Sequence, residues 1–191
     1  KSRNNISGKT IQVADKGLNC AENILHAVKE GDGYLFSKSV KQLPETEQIW
    51  VLLENDYRDV KNEKGDLLYR VKECVDDFPY KYTDGQGREK TVRLQEKRVA
   101  VYNPQLAKKQ KNEICRQIEK AKILRASQAK KSEYGDSAKF VTFQAVDKEG
   151  KKSKDKVKVL MNEKAIEKAL ALAGYNLFVT SEIHMSDSGV Y

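Results

Sequence analysis

The chain has 191 residues, of which 39% are hydrophobic and 34% charged, and its 36 Lys and Arg outnumber its 28 Asp and Glu to give a net charge of +8. Apolar segments recur along the whole length, which argues against a disordered chain, and the length fits one domain or a domain with an insertion. No apolar stretch approaches the roughly 20 residues that a membrane-spanning helix needs, so we expect no membrane partner.

The cysteines are few and widely spaced: Cys20, Cys74 and Cys115. Such a set predicts neither a disulfide framework nor a metal site. No apolar signal core follows Lys1, so no export signal is expected. Together these features predict a reducing, cytoplasmic compartment.

The first predicted elements form a strand–helix–strand unit. Alternating apolar residues predict a strand at 9–14, and Ala21, Ile24, Leu25 and Val28 share one face of a helix. A compact apolar strand follows at 34–36. This order is typical of two parallel strands joined by a helix, with Asp15 at the carboxyl end of the first strand.

The next region predicts antiparallel hairpins. Short apolar runs are separated by turn sequences such as Asn-Glu-Lys-Gly at 62–65 and Asp-Gly-Gln-Gly at 84–87. The predicted strands are 49–53, 67–75, 78–82, 91–95 and 98–102.

The last third predicts a long helix and a second hairpin. Pro104 begins a helix to about residue 126, with one apolar stripe along it. Strands are expected at 140–146 and 157–161, a helix over 162–173 and a final strand at 175–181. Ser186 and Asp187 are typical of the start of another helix.

The positive charge is concentrated in two segments. Residues 103–131 contain nine Lys or Arg and two Glu, and residues 148–158 contain six Lys and two acidic residues. Such segments are typical of polyanion binders, although a lysine-rich helix can also be merely a solvated surface. The candidate DNA-binding residues are Lys108, Lys109, Lys111, Arg116, Lys120, Lys122, Arg125, Lys151, Lys152 and Lys154.

Asp15 is the single candidate for catalytic chemistry. A carboxylate at the carboxyl end of a strand in an α/β layer faces the crevice where such folds bind ligands. With further carboxylates it could hold two Mg²⁺ or Mn²⁺ ions and act on a phosphodiester. A turn residue without any ligand is the alternative.

Two sequence blocks resemble a known family. IQVADKGLN at 11–19, followed by GDGYLFS at 31–37, is similar to the middle of bacterial insertion-sequence transposases of the DDE type, in the branch with a Tyr-Arg-Glu motif. GYNLFVTSEIHMSD at 174–187 resembles the end of that family's insertion domain. The resemblance implies that Asp15 is the second catalytic, metal-binding Asp.

The resemblance implies an α+β protein with a partial ribonuclease-H-like α/β core at 1–40. A β-rich insertion domain with a long basic helix would follow at 41–185, and a truncated core helix would begin at 186–191. The other two catalytic acids would lie before Lys1 and beyond Tyr191, so we expect an inactive fragment of a metal-dependent (Mg²⁺ or Mn²⁺) DNA transposase.

The partner implied by this resemblance is the DNA of transposon ends, bound by a nucleoid-associated protein that forms a homodimer on DNA. The alternative hypothesis is a non-catalytic nucleic-acid or protein-interaction module.

Overall fold

The computed structural model describes residues 10–15, 20–146 and 156–191, which form a mixed α+β protein. The chain divides into two compact units, a first unit of Lys1–Pro104 with Tyr175–Tyr191 and a second unit of Gln105–Gly174. The elements are β1 (Ile11–Ala14), α1 (Ala21–Lys29), β2 (Gly33–Lys38), α2 (Glu45–Leu52), β3 (Arg58–Lys61), β4 (Leu67–Thr83), β5 (Glu89–Tyr102), α3 (Pro104–Ala126), β6 (Val141–Val146), β7 (Lys156–Met161), α4 (Glu163–Ala171), β8 (Tyr175–Thr180) and α5 (Asp187–Val190).

One six-stranded sheet, in the order β1-β2-β8-β5-β4-β3, organises the first unit. β1 and β2 are parallel, as the strand–helix–strand pattern predicts, and the other pairs are antiparallel. Because β2 pairs with β8 near the end of the chain, the boundary expected at residue 40 falls inside this sheet.

The longest hairpin of the sheet, β4–β5, replaces four shorter predicted strands. Its turn matches the prediction: Asp84 Oδ1 accepts hydrogen bonds from the backbone N–H of Gln86 and Arg88, and Gly87 has a φ of 76°. The expected breaks at 76–77 and 96–97 are wrong because charged residues continue both strands. Asp76 is exposed to water, whereas the carboxylate of Glu96 is buried among hydrogen-bond donors.

The predicted strand at 49–53 is also wrong, because most of this segment lies in helix α2 and forms its second half. Glu45 and Glu47 lie in its first turn, where acidic side chains favour a helix. At its other end, the buried Lys72 Nζ donates hydrogen bonds to the carbonyl oxygens of Trp50 and Leu53. The helix is therefore stabilised by a cation from β4, which the local sequence does not reveal.

The core of the first unit joins its last residues to the middle of the sheet. Val71, Val99 and Val101 pack around Val190 of the short helix α5. Ser186 begins this helix by accepting a hydrogen bond from the Gly189 N–H, as the sequence predicts.

The second unit consists of α3, a 3₁₀ segment at Lys131–Phe140, the β6–β7 hairpin and α4. The apolar stripe of α3 is confirmed, because Ile114, Ile118 and Ala121 are buried. Asn162 begins α4 by accepting from the Ala165 N–H at 3.2 Å, also as predicted. In the described ranges, no helix is both long and apolar enough to cross a membrane.

Candidate nucleic-acid interface

Asp15 lies where the sequence predicts, immediately after β1, and is exposed. Among the described strands, β1 lies at the edge of the sheet and pairs with β2 alone. Within residues 10–15, 20–146 and 156–191, no group of three or more His, Cys, Asp or Glu side chains could hold a metal ion. In these ranges Asp15 therefore does not belong to a group of three or more such side chains.

Helix α3 presents seven of the candidate DNA-binding residues, and all of them are exposed. This basic surface of α3 consists of Lys108, Lys109, Lys111, Arg116, Lys120, Lys122 and Arg125. They are exposed because the apolar stripe of the helix is buried in the core of the second unit, which leaves the rest of its circumference to water.

Two members of the basic surface form ion pairs along the helix. Arg116 Nη1 lies 3.9 Å from Glu113 Oε2, and Lys122 Nζ lies 2.7 Å from Glu119 Oε1. Exposed pairs of this kind contribute little to stability and exchange readily with other partners. The remaining five cations make no ion pair with the part of the chain that the structure describes.

The spacing of the basic surface suits an extended polyanion. Lys109, Arg116 and Lys120 recur at intervals of seven and four residues, which places them on one face of an α-helix. With a rise of 1.5 Å per residue, the surface from Lys108 to Arg125 is about 25 Å long. That length is comparable to several phosphate intervals along a nucleic-acid strand. The other three candidates, Lys151, Lys152 and Lys154, lie outside the described residues.

A cleft of about 860 Å³ lies where α3 ends, and the sequence analysis missed it. Its cations are Arg125, Lys130, Lys131 and Lys158, and its apolar wall includes the half-buried ring of Phe143. Lys130 and Lys131 belong to the basic segment seen in the sequence. Their position beside a strand of the distant β6–β7 hairpin depends on the tertiary fold.

The division into units also separates the charge. The second unit contains 18 Lys or Arg and 9 Asp or Glu, a net charge of +9, whereas the first unit contains 18 and 19, a net charge of −1. The whole positive surplus of the chain thus belongs to one compact unit of 70 residues. Electrostatic attraction for a polyanion is concentrated there.

No family model, curated protein or solved structure matches this chain. The assignment of function therefore depends on the residues and geometry of the chain itself.

The first unit contains a buried polar cluster that sequence analysis also missed. Glu96, with no exposed surface, accepts hydrogen bonds from Tyr34 OH at 2.8 Å, from Tyr80 OH, and from Arg98 Nε at 2.8 Å. Arg98 Nη1 also lies 2.7 Å from Glu47 Oε2. The cluster thus joins β2, β4, β5 and α2.

Burial shifts the pKa of three side chains in and beside this cluster: Tyr34, Tyr80 and Lys38. Desolvation, followed by the charge of Glu96, raises the pKa of Tyr34 and of Tyr80, so both phenols stay protonated. Desolvation lowers the pKa of Lys38, whose Nζ lies 3.3 Å from Tyr80 OH.

The polar cluster borders a cleft of about 310 Å³, where an anionic ligand would meet two cations. Its two cations, Lys38 and Arg98, are balanced by Glu47 and Glu96. A balanced cluster has no surplus charge to attract an anion, so its evident role is to fix the sheet against α2.

Proposed function

We propose that the chain binds DNA through the basic surface of α3, and that it belongs to a DDE transposase in which Asp15 is a metal ligand. The observation that carries the DNA-binding part is the separation of charge, with +9 on the second unit and −1 on the first. A phosphate backbone is the polyanion for which such a surface is best suited.

The composition of the basic surface favours contacts to phosphates over contacts to base edges. Five of its seven members are Lys, whose ammonium group acts as a point charge, and two are Arg, which can form paired hydrogen bonds with guanine. Of these, Arg116 is paired with Glu113 and Arg125 lies in the cleft at the end of the helix. Binding should therefore show little sequence preference.

The test neutralises three exposed lysines of α3 together, as Lys108→Gln, Lys109→Gln and Lys111→Gln. We expect weaker binding to every duplex sequence, because each substitution removes a cation that neutralises a phosphate. The slope of log K against log salt should fall by roughly 0.9 for each phosphate that the variant no longer neutralises. Fluorescence anisotropy with labelled duplexes at several salt concentrations measures both quantities.

A matched control neutralises three exposed lysines of the first unit, as Lys29→Gln, Lys64→Gln and Lys81→Gln. The control changes the net charge of the chain equally but leaves the second unit intact. Equal losses of affinity in the two triple variants would mean that total charge, and not the basic surface of α3, governs binding. An unchanged affinity and salt slope in the α3 variant would mean that these lysines form a solvated surface and do not contact DNA.

The parallel pair β1–β2 supports the transposase part of the proposal. A helix between two parallel strands, with Asp15 at the carboxyl end of the first, agrees with the ribonuclease-H-like core that the sequence resemblance implies. The phosphodiester chemistry of Mg²⁺ or Mn²⁺ requires more carboxylates than Asp15, and the described residues do not provide them.

The transposase proposal is tested with the full-length protein. Asp15→Asn should abolish cleavage of transposon ends and strand transfer, while the thermal midpoint and DNA affinity stay unchanged because the side chain is exposed. Cleavage at the wild-type rate would contradict the role of Asp15. It would leave the alternative, a non-catalytic nucleic-acid-binding module, for which only the result with the α3 lysines is required.

A further inference from the structure

The cleft at the end of α3 has a composition distinct from the rest of the basic surface. Beside its four cations, it has an apolar wall formed by Phe143, Val157 and Val159 of the β6–β7 hairpin. Val157 is 62% exposed, so this wall is open to an incoming group. The volume of about 860 Å³ is within the range of ligand-binding sites in proteins.

The backbone fixes the cations at the mouth of the cleft. α3 ends in a turn at Gln128, whose φ of 53° is in the left-handed region. The Ala129 N–H donates to the Leu124 oxygen at 2.9 Å, and the Gln128 N–H donates to the Arg125 oxygen at 3.2 Å. These two bonds form a Schellman motif, which reverses the chain and directs Lys130 and Lys131 back beside Arg125.

No carboxylate lines the cleft within the described residues. Glu133, two residues beyond Lys131, uses its side chain to accept a hydrogen bond from the backbone N–H of Lys130. A cation at the carboxyl end of a helix is stabilised by about 1 kcal/mol at most in an exposed position. The positive charge here therefore exceeds what stabilisation of the helix requires, with Arg125, Lys130 and Lys131 at its end and Lys158 of β7 beside them.

The aromatic ring adds a second kind of contact. Tyr134 packs edge-on to Phe143 with ring centroids 5.2 Å apart, and Lys131 Nζ lies 5.5 Å from the centroid of Phe143. Tyr134 is fully buried, so it holds the ring of Phe143 in place from the core side. Lys131 is exposed and can move from the ring to a phosphate.

We infer that this cleft binds single-stranded nucleic acid, with a base against Phe143 and its phosphates on Arg125, Lys130, Lys131 and Lys158. An aromatic ring surrounded by cations is the arrangement by which proteins hold unpaired bases, whereas the bases of a duplex are covered by their neighbours. The inference rests on the proposed function, because Arg125 connects the cleft to the basic surface of α3.

The experiment compares the binding of oligo(dT) and of a duplex of equal length by fluorescence anisotropy. Phe143→Leu should weaken oligo(dT) binding by about tenfold, the loss of one stacked base, and leave duplex binding unchanged. Tyr82→Leu, which replaces a half-exposed ring of the first unit, is the control. Photo-cross-linking of oligo(dT) to the wild-type protein should place the modified peptide at residue 143.

Several other results would overturn the inference. A folded Phe143→Leu that binds oligo(dT) as the wild type does, or that loses affinity for both oligonucleotides equally, overturns the inference. If this variant fails to fold, Lys131→Gln and the cross-link replace it as tests, because Lys131 is exposed and its substitution should not affect folding. An unchanged salt slope for oligo(dT) binding by Lys131→Gln, or a cross-link at another residue, overturns the inference. Wild-type binding to duplex but not to oligo(dT) also overturns it and leaves the proposed function standing. If the wild-type protein binds neither oligo(dT) nor duplex, both the inference and the proposed function are wrong.

Discussion

The buried carboxylate of Glu96 gives the sharpest prediction about stability. Glu96→Gln keeps the shape of the side chain but removes its charge, while Arg98 and the two phenols remain. The amide nitrogen of Gln would face either Arg98, which can only donate, or the two phenols, whose oxygens would then have to accept instead of donating. Removing one partner of a buried charge pair costs about 3–5 kcal/mol. Arg98 keeps Glu47 as a second partner, so we expect the lower limit, about 3 kcal/mol.

Trp50 makes this measurement simple, because it is the only tryptophan of the chain and lies in the first unit. Its fluorescence therefore reports the unfolding of the unit that contains Glu96. With a urea m value of about 2 kcal/mol/M, the midpoint should fall by about 1.5 M. Glu89→Gln, on the exposed start of the same strand, should change stability by no more than about 0.5 kcal/mol. A Glu96→Gln variant as stable as Glu89→Gln would refute the role given to the cluster.

The remaining predictions concern three other groups, of which Tyr34 and Lys72 are buried and Asp187 is half-buried. Desolvation and Glu96 raise the pKa of Tyr34, so the unfolded chain releases that proton first and the free energy of unfolding should fall above about pH 10. In urea titrations, Tyr34→Phe should reduce this dependence of the free energy of unfolding on pH by up to about 1.4 kcal/mol per pH unit. Lys72→Met leaves two carbonyl oxygens at the end of α2 without their donor and should cost about 2–4 kcal/mol in urea unfolding without changing DNA affinity. Asp187→Asn should lower the free energy of unfolding by about 2 kcal/mol, because Asp187 Oδ1 lies 3.2 Å from the buried Lys97 Nζ. It should also speed the exchange of backbone amide hydrogens in residues 187–191, and unchanged exchange rates there would contradict this prediction. Burial alone would raise the pKa of Asp187, but hydrogen bonds with its charged neighbours hold it below its ordinary value, so this stabilisation should be lost as the pH falls below about 4.

Much of the second unit could be predicted from the sequence alone. The periodicity of apolar residues placed α3, and the cap at Asn162 placed the start of α4. In the first unit, the cap at Ser186 likewise placed the start of α5. These signals are local, because a helix buries the residues that recur every three or four positions and ends where backbone groups find a side-chain partner. The same stripe determined that the lysines of α3 would be exposed.

Contacts between distant segments decided the rest. The apolar run at 49–53 forms a helix because Lys72 of β4 stabilises its carboxyl end, and Glu96 continues a strand because two phenols and Arg98 surround it. Phe143 meets the end of α3 only through the fold of the second unit. The energy of a buried charge, and the shape of a cleft, depend on groups brought together from separate parts of the chain. A local pattern therefore predicts which face of a helix is basic but not which side chains that face will meet.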